Sequence, residues 1–279
     1  MSAAMLLPGL RPHVAEIAGL RTRYWVGGEG PPLVLVHGLG GAAVNFTLLA
    51  PLLARTHRVL VPDLPGHGGT QALPGLRRLT ELAAHAAAVA RHEALLPAAV
   101  LGYSMGGVVA LRLAVAEPEA VTRLVLVAPA GIVSLTRRAR LWLAAVTAIR
   151  PARTVALARN LVARRPNLRL PVFGYWGAED PRALPPEAVL GFLAAQREHE
   201  SLLPAARALA LDDPRPDLHR VACPTLLVWG ARDHLVPLED GFQYARRLRS
   251  PLRVLPACGH LIVGEQPREL AHVVQRFLV

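Results

Sequence analysis

The chain has no lysine, so all 31 of its basic residues are arginine. It is also poor in aromatics, 5% of 279 residues, and in charge, at 18%, and it holds only two cysteines. Each shortage excludes something. A nucleotide-type phosphate loop needs a lysine or a longer glycine spacing than this chain has. Cys223 and Cys258 fit no metal-ligand spacing and make no disulfide framework. One should begin a strand and the other should lie past the end of the next, at opposite sheet edges, so both are expected as free thiols. With aromatics scarce, Leu, Ala and Val must fill the interior. No stretch approaches the roughly 20 apolar residues that a membrane-spanning helix needs; the run 141–149 stops at Arg150. Residues 1–10 carry no positive charge ahead of their apolar residues, so no secretory signal is read and a cytoplasmic location is expected.

What remains is apolar and basic. Hydrophobic residues make up 52% and the formal net charge is +11. That composition excludes a disordered chain, and the length allows a large core without staples. The excess arginine is concentrated between Gly131 and Arg215, where 13 Arg face 7 Asp and Glu, but no run exceeds two adjacent arginines. Such spacing reads as solvated helix faces rather than a nucleic-acid patch, and no nucleic-acid partner is expected.

Short apolar runs recur, each ending in a glycine-rich turn and then an alanine-rich helical stretch. The strand-like runs are 32–36, 58–62, 98–101, 124–127, 225–228 and 252–255. Continuous apolar runs, rather than alternating ones, indicate strands buried on both faces. Repeated strand, turn and helix predict an α/β fold with a mainly parallel central sheet flanked by helices. Helices are expected at 79–95 and 105–116, and Tyr24-Trp25-Val26 is read as an antiparallel edge strand. From 131 to 217 the rhythm breaks into helical stretches separated by prolines (134–149, 152–165 and 186–211). The expected organisation is therefore a core of 1–130 and 218–279, with a helical cap of 131–217 inserted after the sixth strand. Such an insertion leaves the sheet at its carboxyl edge, where open α/β sheets bind ligands.

Chemistry concentrates at three turns. Gly102-Tyr103-Ser104-Met105-Gly106 sits where a strand meets a helix, and a sharp turn there would push the Ser104 hydroxyl out above the sheet. Glycine at 102 and 106 allows close approach of the flanking elements. A serine hydroxyl needs a base to take its proton and a third group to orient that base. Asp233, after the strand 225–228, and His260, in Cys258-Gly259-His260, would emerge at the same edge. His37 and His67 lie in glycine-rich loops and read as loop-shaping, and His219, His234 and His272 are further histidines that could compete. Asp63 is the alternative acid, although DLPGHGG reads as a turn tied together by side-chain hydrogen bonds. Asp180, Asp213 and Asp240 lack a strand-end placement. Backbone N–H groups of Met105 and of Leu39, in the loop after the first parallel strand, are the candidate oxyanion donors.

Taken in order, HGLGG, DLPGHGG, GYSMGG, WGARDHLVP and CGH resemble the α/β-hydrolase superfamily, of the capped serine esterase, haloperoxidase-like and C–C hydrolase type. The resemblance runs from Leu33 to the C-terminus. It implies a cofactor-free, metal-free hydrolase with Ser104, His260 and Asp233 as its triad, acting on a small-molecule ester. Ser at 104 sets the chain apart from the dehalogenases and epoxide hydrolases, which use an aspartate nucleophile. Ring-cleavage C–C hydrolases usually place a tryptophan after the catalytic histidine, where this chain has Leu261. Trp142, Phe173, Trp176 and Leu261 are the candidate contacts for an apolar acyl or alkyl group. Thioester cleavage, C–C cleavage, acyl transfer and low-turnover ligand reception are the alternatives of the same fold.

Overall fold

A computed structural model describes residues 7–132, 155–174, 177–195 and 202–279. The expected helix 134–149, the start of the 152–165 stretch, Trp142 and Trp176 lie outside these residues. Eight strands form one sheet: β1 (Leu10–Ile17), β2 (Leu20–Gly27), β3 (Pro32–Val36), β4 (Arg58–Pro62), β5 (Ala98–Tyr103), β6 (Val121–Val127), β7 (Thr225–Gly230) and β8 (Leu252–Leu255). Their order is β1-β2-β4-β3-β5-β6-β7-β8. β3 to β8 pair in parallel, and β2 joins β4 antiparallel.

Tyr24-Trp25-Val26 is therefore antiparallel, as expected, but it is not the edge. β1 covers it in register from Leu10 opposite Gly27 to Ile17 opposite Leu20. β1 escapes a reading based on apolar runs because only its two ends are buried. It is solvated along its middle, so its sequence carries neither a continuous run nor a clean alternation.

Helices follow the strands: α1 (Ala50–Leu53), α2 (Leu79–His92), α3 (Met105–Ala116), α4 (Arg159–Arg164), α5 (Pro166–Phe173), α6 (Pro186–Ala195), α7 (Leu202–Leu211), α8 (Leu238–Leu248), α9 (Ile262–Glu265) and α10 (Pro267–Leu278). α3 begins and ends where its sequence predicts. The segment between β6 and β7 shows only helices among the described residues. Of the stretch expected as helix over 186–211, the described residues 186–195 and 202–211 are helical, as α6 and α7.

The main core lies between the sheet and α2, α3, α8 and α10, and its largest buried side chains include Trp25, Trp229 and Tyr244. Trp229 donates its indole N–H to the carbonyl of Val236, 2.9 Å away, tying β7 to the loop that follows it. Arg112, buried on α3, donates to Asp212 at 2.5 Å, to Asp217, and to the Asp213 carbonyl at 2.9 Å. That cluster fastens the chain returning from the insertion to the helix that follows Ser104. A smaller apolar cluster joins Val162, Ala163, Phe173, Ala178, Leu184, Val189, Leu193 and Leu261.

Among the described residues five histidines are buried, His37, His57, His67, His85 and His260, and His85 and His67 are the two whose titration burial shifts furthest. His85 on α2 donates from Nε2 to the Thr22 hydroxyl at 3.0 Å, because that hydroxyl's own proton goes to the Leu20 carbonyl. The remaining ring nitrogen, Nδ1, is buried without a partner. Burial pulls His85 down to about 4, and burial together with His37 pulls His67 down to about 3. In the unfolded chain both would take a proton near pH 6.5. Folding thus excludes protons that the unfolded state accepts. Stability is complete above pH 6.5 and falls as pH drops toward 4, at up to about 1.4 kcal/mol per pH unit for each histidine. In urea unfolding between pH 6.5 and 4.5, His85→Gln is expected to flatten this slope; an unchanged slope would contradict the assignment.

Candidate active site

The site is built by backbone packing before any side chain acts. β3 leads to β4 on one side of the sheet, while β5 lies on the other, so the loops after β3 and β5 open beside each other. From Ala98 to Ala114 every residue is buried except Ser104, which is half-buried at the turn into α3. Its φ of 55° lies in the left-handed region, which a side-chain-bearing residue enters only when its surroundings impose it. The surroundings do so. A Cβ at Gly102 would come within 2.2 Å of the Gly106 carbonyl oxygen, and one at Gly106 within 2.2 Å of that of Val36. The Ser104 N–H donates to Val127 at 2.9 Å, pinning the turn to β6.

The three residues expected to work together do meet. The Ser104 hydroxyl lies 3.1 Å from Nε2 of His260, and Nδ1 of His260 lies 2.7 Å from Oδ2 of Asp233. The other Asp233 oxygen, Oδ1, accepts the N–H groups of Leu235 (2.9 Å) and Val236 (2.8 Å). Asp233 and His260 are buried, at 6% and 3% exposed. A carboxylate held this way on both oxygens fixes the orientation of the imidazole and favours the proton on Nδ1. Nε2 is left to accept from the serine hydroxyl. Gly38 faces the hydroxyl side: a Cβ there would meet the Ser104 Cβ at 3.0 Å and Oγ at 3.6 Å, so the loop carrying Leu39 runs against the serine. The Met105 N–H stands at the start of α3, where the helix dipole favours negative charge.

The residues read as loop-shaping behave so. His37 accepts the Leu64 N–H at Nε2 (3.0 Å) and its Nδ1 lies 2.9 Å from the Gly38 carbonyl. Asp63, fully buried, accepts from Ala43 N–H (2.7 Å), Gly69 N–H (2.8 Å) and Arg23 Nε (2.7 Å). It ties the loops after β3 and β4 together and does not compete with Asp233. Cys223 and Cys258 are free thiols. Burial, reinforced by Glu265 and Asp233, pushes the Cys258 thiol well up, so it stays neutral. Phe173 and Leu261, 4% and 7% exposed, sit together in the smaller apolar cluster beside His260. Among the described residues no group of three or more His, Cys, Asp or Glu is arranged to hold a metal.

Two positioning residues escape a sequence reading. Tyr103 occupies the variable position of G-x-S-x-G. Its ring packs 5.3 Å from the His260 imidazole, and its hydroxyl donates to the His260 carbonyl at 3.1 Å. Burial, with Asp233 and Glu265 near, holds that phenol protonated and able to donate. Glu265 ends α9, five residues after His260. Its carboxylate accepts the N–H of Gly259 (3.0 Å) and of Glu179 in the insertion (2.8 Å). The His260 N–H in turn donates to the Gly177 carbonyl at 2.5 Å. The insertion and the histidine loop are thus bonded as one unit. A carboxylate just past a catalytic-type histidine is the only hint the sequence offers, and it follows no periodicity.

Residues 33–273 match the model of the alpha/beta hydrolase family. This chain belongs to that family. It is 33% identical over 223 residues to the pimeloyl-[acyl-carrier protein] methyl ester esterase of Chromobacterium violaceum, covering 79% of this chain and 83% of that one. It is 31% identical over 275 residues to the 2-hydroxy-6-oxo-2,4-heptadienoate hydrolase of Pseudomonas putida, covering 93% of each. A crystal structure of a hydrolase from Pseudomonas aeruginosa PA01 superposes with a TM-score of 0.78 at 25% identity, over 96% of this chain and 98% of that one. The relatives of this chain thus include both a methyl ester esterase and a 2-hydroxy-6-oxo-2,4-heptadienoate hydrolase.

Removing the Glu265 carboxylate should release the Gly259 loop and tilt the imidazole above it. Glu265→Ala is expected to slow labelling of Ser104 by a fluorophosphonate by about tenfold or more, since displacements near 1 Å cost up to 10²-fold. Mass spectrometry of the labelled protein measures this, and labelling at the wild-type rate would contradict it.

Proposed function

We propose that this α/β-hydrolase is a serine esterase that cleaves carboxylic esters with apolar acyl or alkyl groups through an acyl-enzyme. The observation that carries the reading is the unbroken hydrogen-bond chain Ser104–His260–Asp233 at a strained strand-to-helix turn. In the proposed mechanism the Ser104 oxygen attacks the ester carbonyl while its proton passes to Nε2 of His260. Asp233 stabilises the imidazolium. The Leu39 and Met105 N–H groups receive the negative charge that develops on the carbonyl oxygen. Collapse expels the alcohol, which takes the proton from His260. Water then enters, gives a proton to His260 and attacks the acyl carbon, and the acid leaves as Ser104 regains its proton. One water is consumed, and one acid and one alcohol are formed.

The insertion 131–217 acts as the cap in this reading. α6 supports that role, because Gly191 lies against the loop after β3, where an added Cβ would meet the Val44 carbonyl oxygen at 2.4 Å. Phe173 and Leu261 are proposed to face the apolar part of the substrate. The esterase relative supports an ester. Leu261 after His260, in place of a tryptophan, favours an ester over a carbon–carbon bond.

Ser104→Ala should cut kcat/KM for a short p-nitrophenyl ester by about 10⁴-fold or more while leaving the melting temperature intact. Retained turnover in that variant would end the proposal. Comparing kcat/KM for esters, thioesters and vinylogous diketones tests the bond type, and a preference for either of the latter two would overturn the ester assignment.

A further inference from the structure

All twenty acidic residues lie outside the interval between Glu119 and Glu179, which holds ten arginines. Part of this interval is described, and its outward face is unusual. Over residues 156–164 the buried positions are Ala156, Val162 and Ala163. Leu157 lies in the 3-10 turn Ala156–Ala158 that leads into α4, and Leu161 and Arg164 lie one turn apart on α4 itself. Leu157 is 71% exposed and Leu161 53%, where a water-facing helix would ordinarily carry polar residues. Arg164 and Arg165 beside them are exposed. On α5, Leu168 and Leu170 add a further 39% and 46% exposed. Four of the ten exposed large hydrophobics among the described residues therefore fall within one short stretch.

The face is held in place from within. Arg169 of α5 turns inward and donates to the carbonyls of Leu184 (2.6 Å) and Arg182 (2.8 Å), and to those of Val162 and Ala163 on α4. The two helices are thereby locked with their leucines outward.

We propose that the exposed surface of residues 157–168, which bears Leu157, Leu161 and Leu168 with Arg164 and Arg165, seats peripherally on an anionic lipid bilayer. Exposed leucines flanked by arginine are what a helix lying in the headgroup region requires: apolar side chains enter the acyl boundary and guanidinium groups meet lipid phosphates. The missing carboxylates matter equally, because any would be repelled by an anionic surface. A second copy fits worse, since the same arginines would confront one another. Nucleic acid fits worse too, since it offers the leucines nothing. The contact is with the surface only: among the described residues no helix is long and apolar enough to cross a membrane. This proposal does not depend on the esterase reading.

Vesicle flotation tests it with the whole chain. Binding is expected to phosphatidylcholine vesicles containing about one-third phosphatidylglycerol, with little to phosphatidylcholine alone, and to weaken as salt screens the arginines. The double variants Leu157→Ser/Leu161→Ser and Arg164→Gln/Arg165→Gln should each reduce partitioning by about tenfold or more. Their melting temperatures should match wild type. Equal flotation with both vesicle types, no flotation, or variants that partition like wild type would overturn the proposal. So would a vesicle-free dimer that the leucine variant converts to monomer, because the face would then belong to a second copy.

Discussion

The whole site depends on main chain passing close to main chain at the turn after β5. Gly102 and Gly106 let α3 start directly against β5 and the end of β3, and Ser104 is forced to φ 55° as a consequence. A side chain at either glycine would meet backbone oxygen, which cannot swing aside as a flexible side chain can. The same contact brings the loop after β3 against the serine. One packing constraint therefore presents the hydroxyl and lays a second loop beside it. Buried apolar strands on both sides keep the turn from relaxing, so the cost of the strain is met by the core rather than at the site.

Asp233 and His260 reach the serine by a different route. β7 and β8 are neighbours in a parallel sheet, so the loops after them leave the same edge as Ser104. Each is then fixed by its own local bonds: Asp233 by two backbone N–H groups and the Trp229 anchor on Val236, His260 by Tyr103, Gly177 and the Glu265-held Gly259. The insertion takes part directly, since Gly177 and Glu179 bond to the histidine loop and its residue. Its arrangement and the geometry of His260 are therefore coupled. If the outward leucines rest on a bilayer, the same segment also supplies Val162, Ala163 and Phe173 to the cluster that holds Leu261, next to His260.

Much of this was legible in the residues. The parallel strands announce themselves as apolar runs because both of their faces are buried, and β3, β4 and β8 match their predicted limits. The strand-to-helix turn at Ser104 is legible because steric need restricts 102 and 106 to glycine. Ser104, Asp233 and His260 could be picked because strand-end placement and chain order together leave few competitors. What stayed hidden lacks such a constraint. β1 is a solvated edge whose pairing is set by its partner rather than its own pattern. Tyr103 acts through one long-range bond to the His260 carbonyl and Glu265 through bonds to the Gly259 and Glu179 N–H groups, and such bonds leave no periodic trace. The outward leucines at 157 and 161 are hidden for another reason: which side faces water is decided only by the packing of Ala156, Val162 and Ala163.

The most direct test of the central claim is to stop turnover of a p-nitrophenyl ester with acid within milliseconds and locate the acyl group by peptide mass spectrometry. The account predicts one acyl group per chain on the peptide containing Ser104, disappearing as substrate is exhausted. Acyl mass on another residue, or turnover with no acylated peptide at any time, would contradict it.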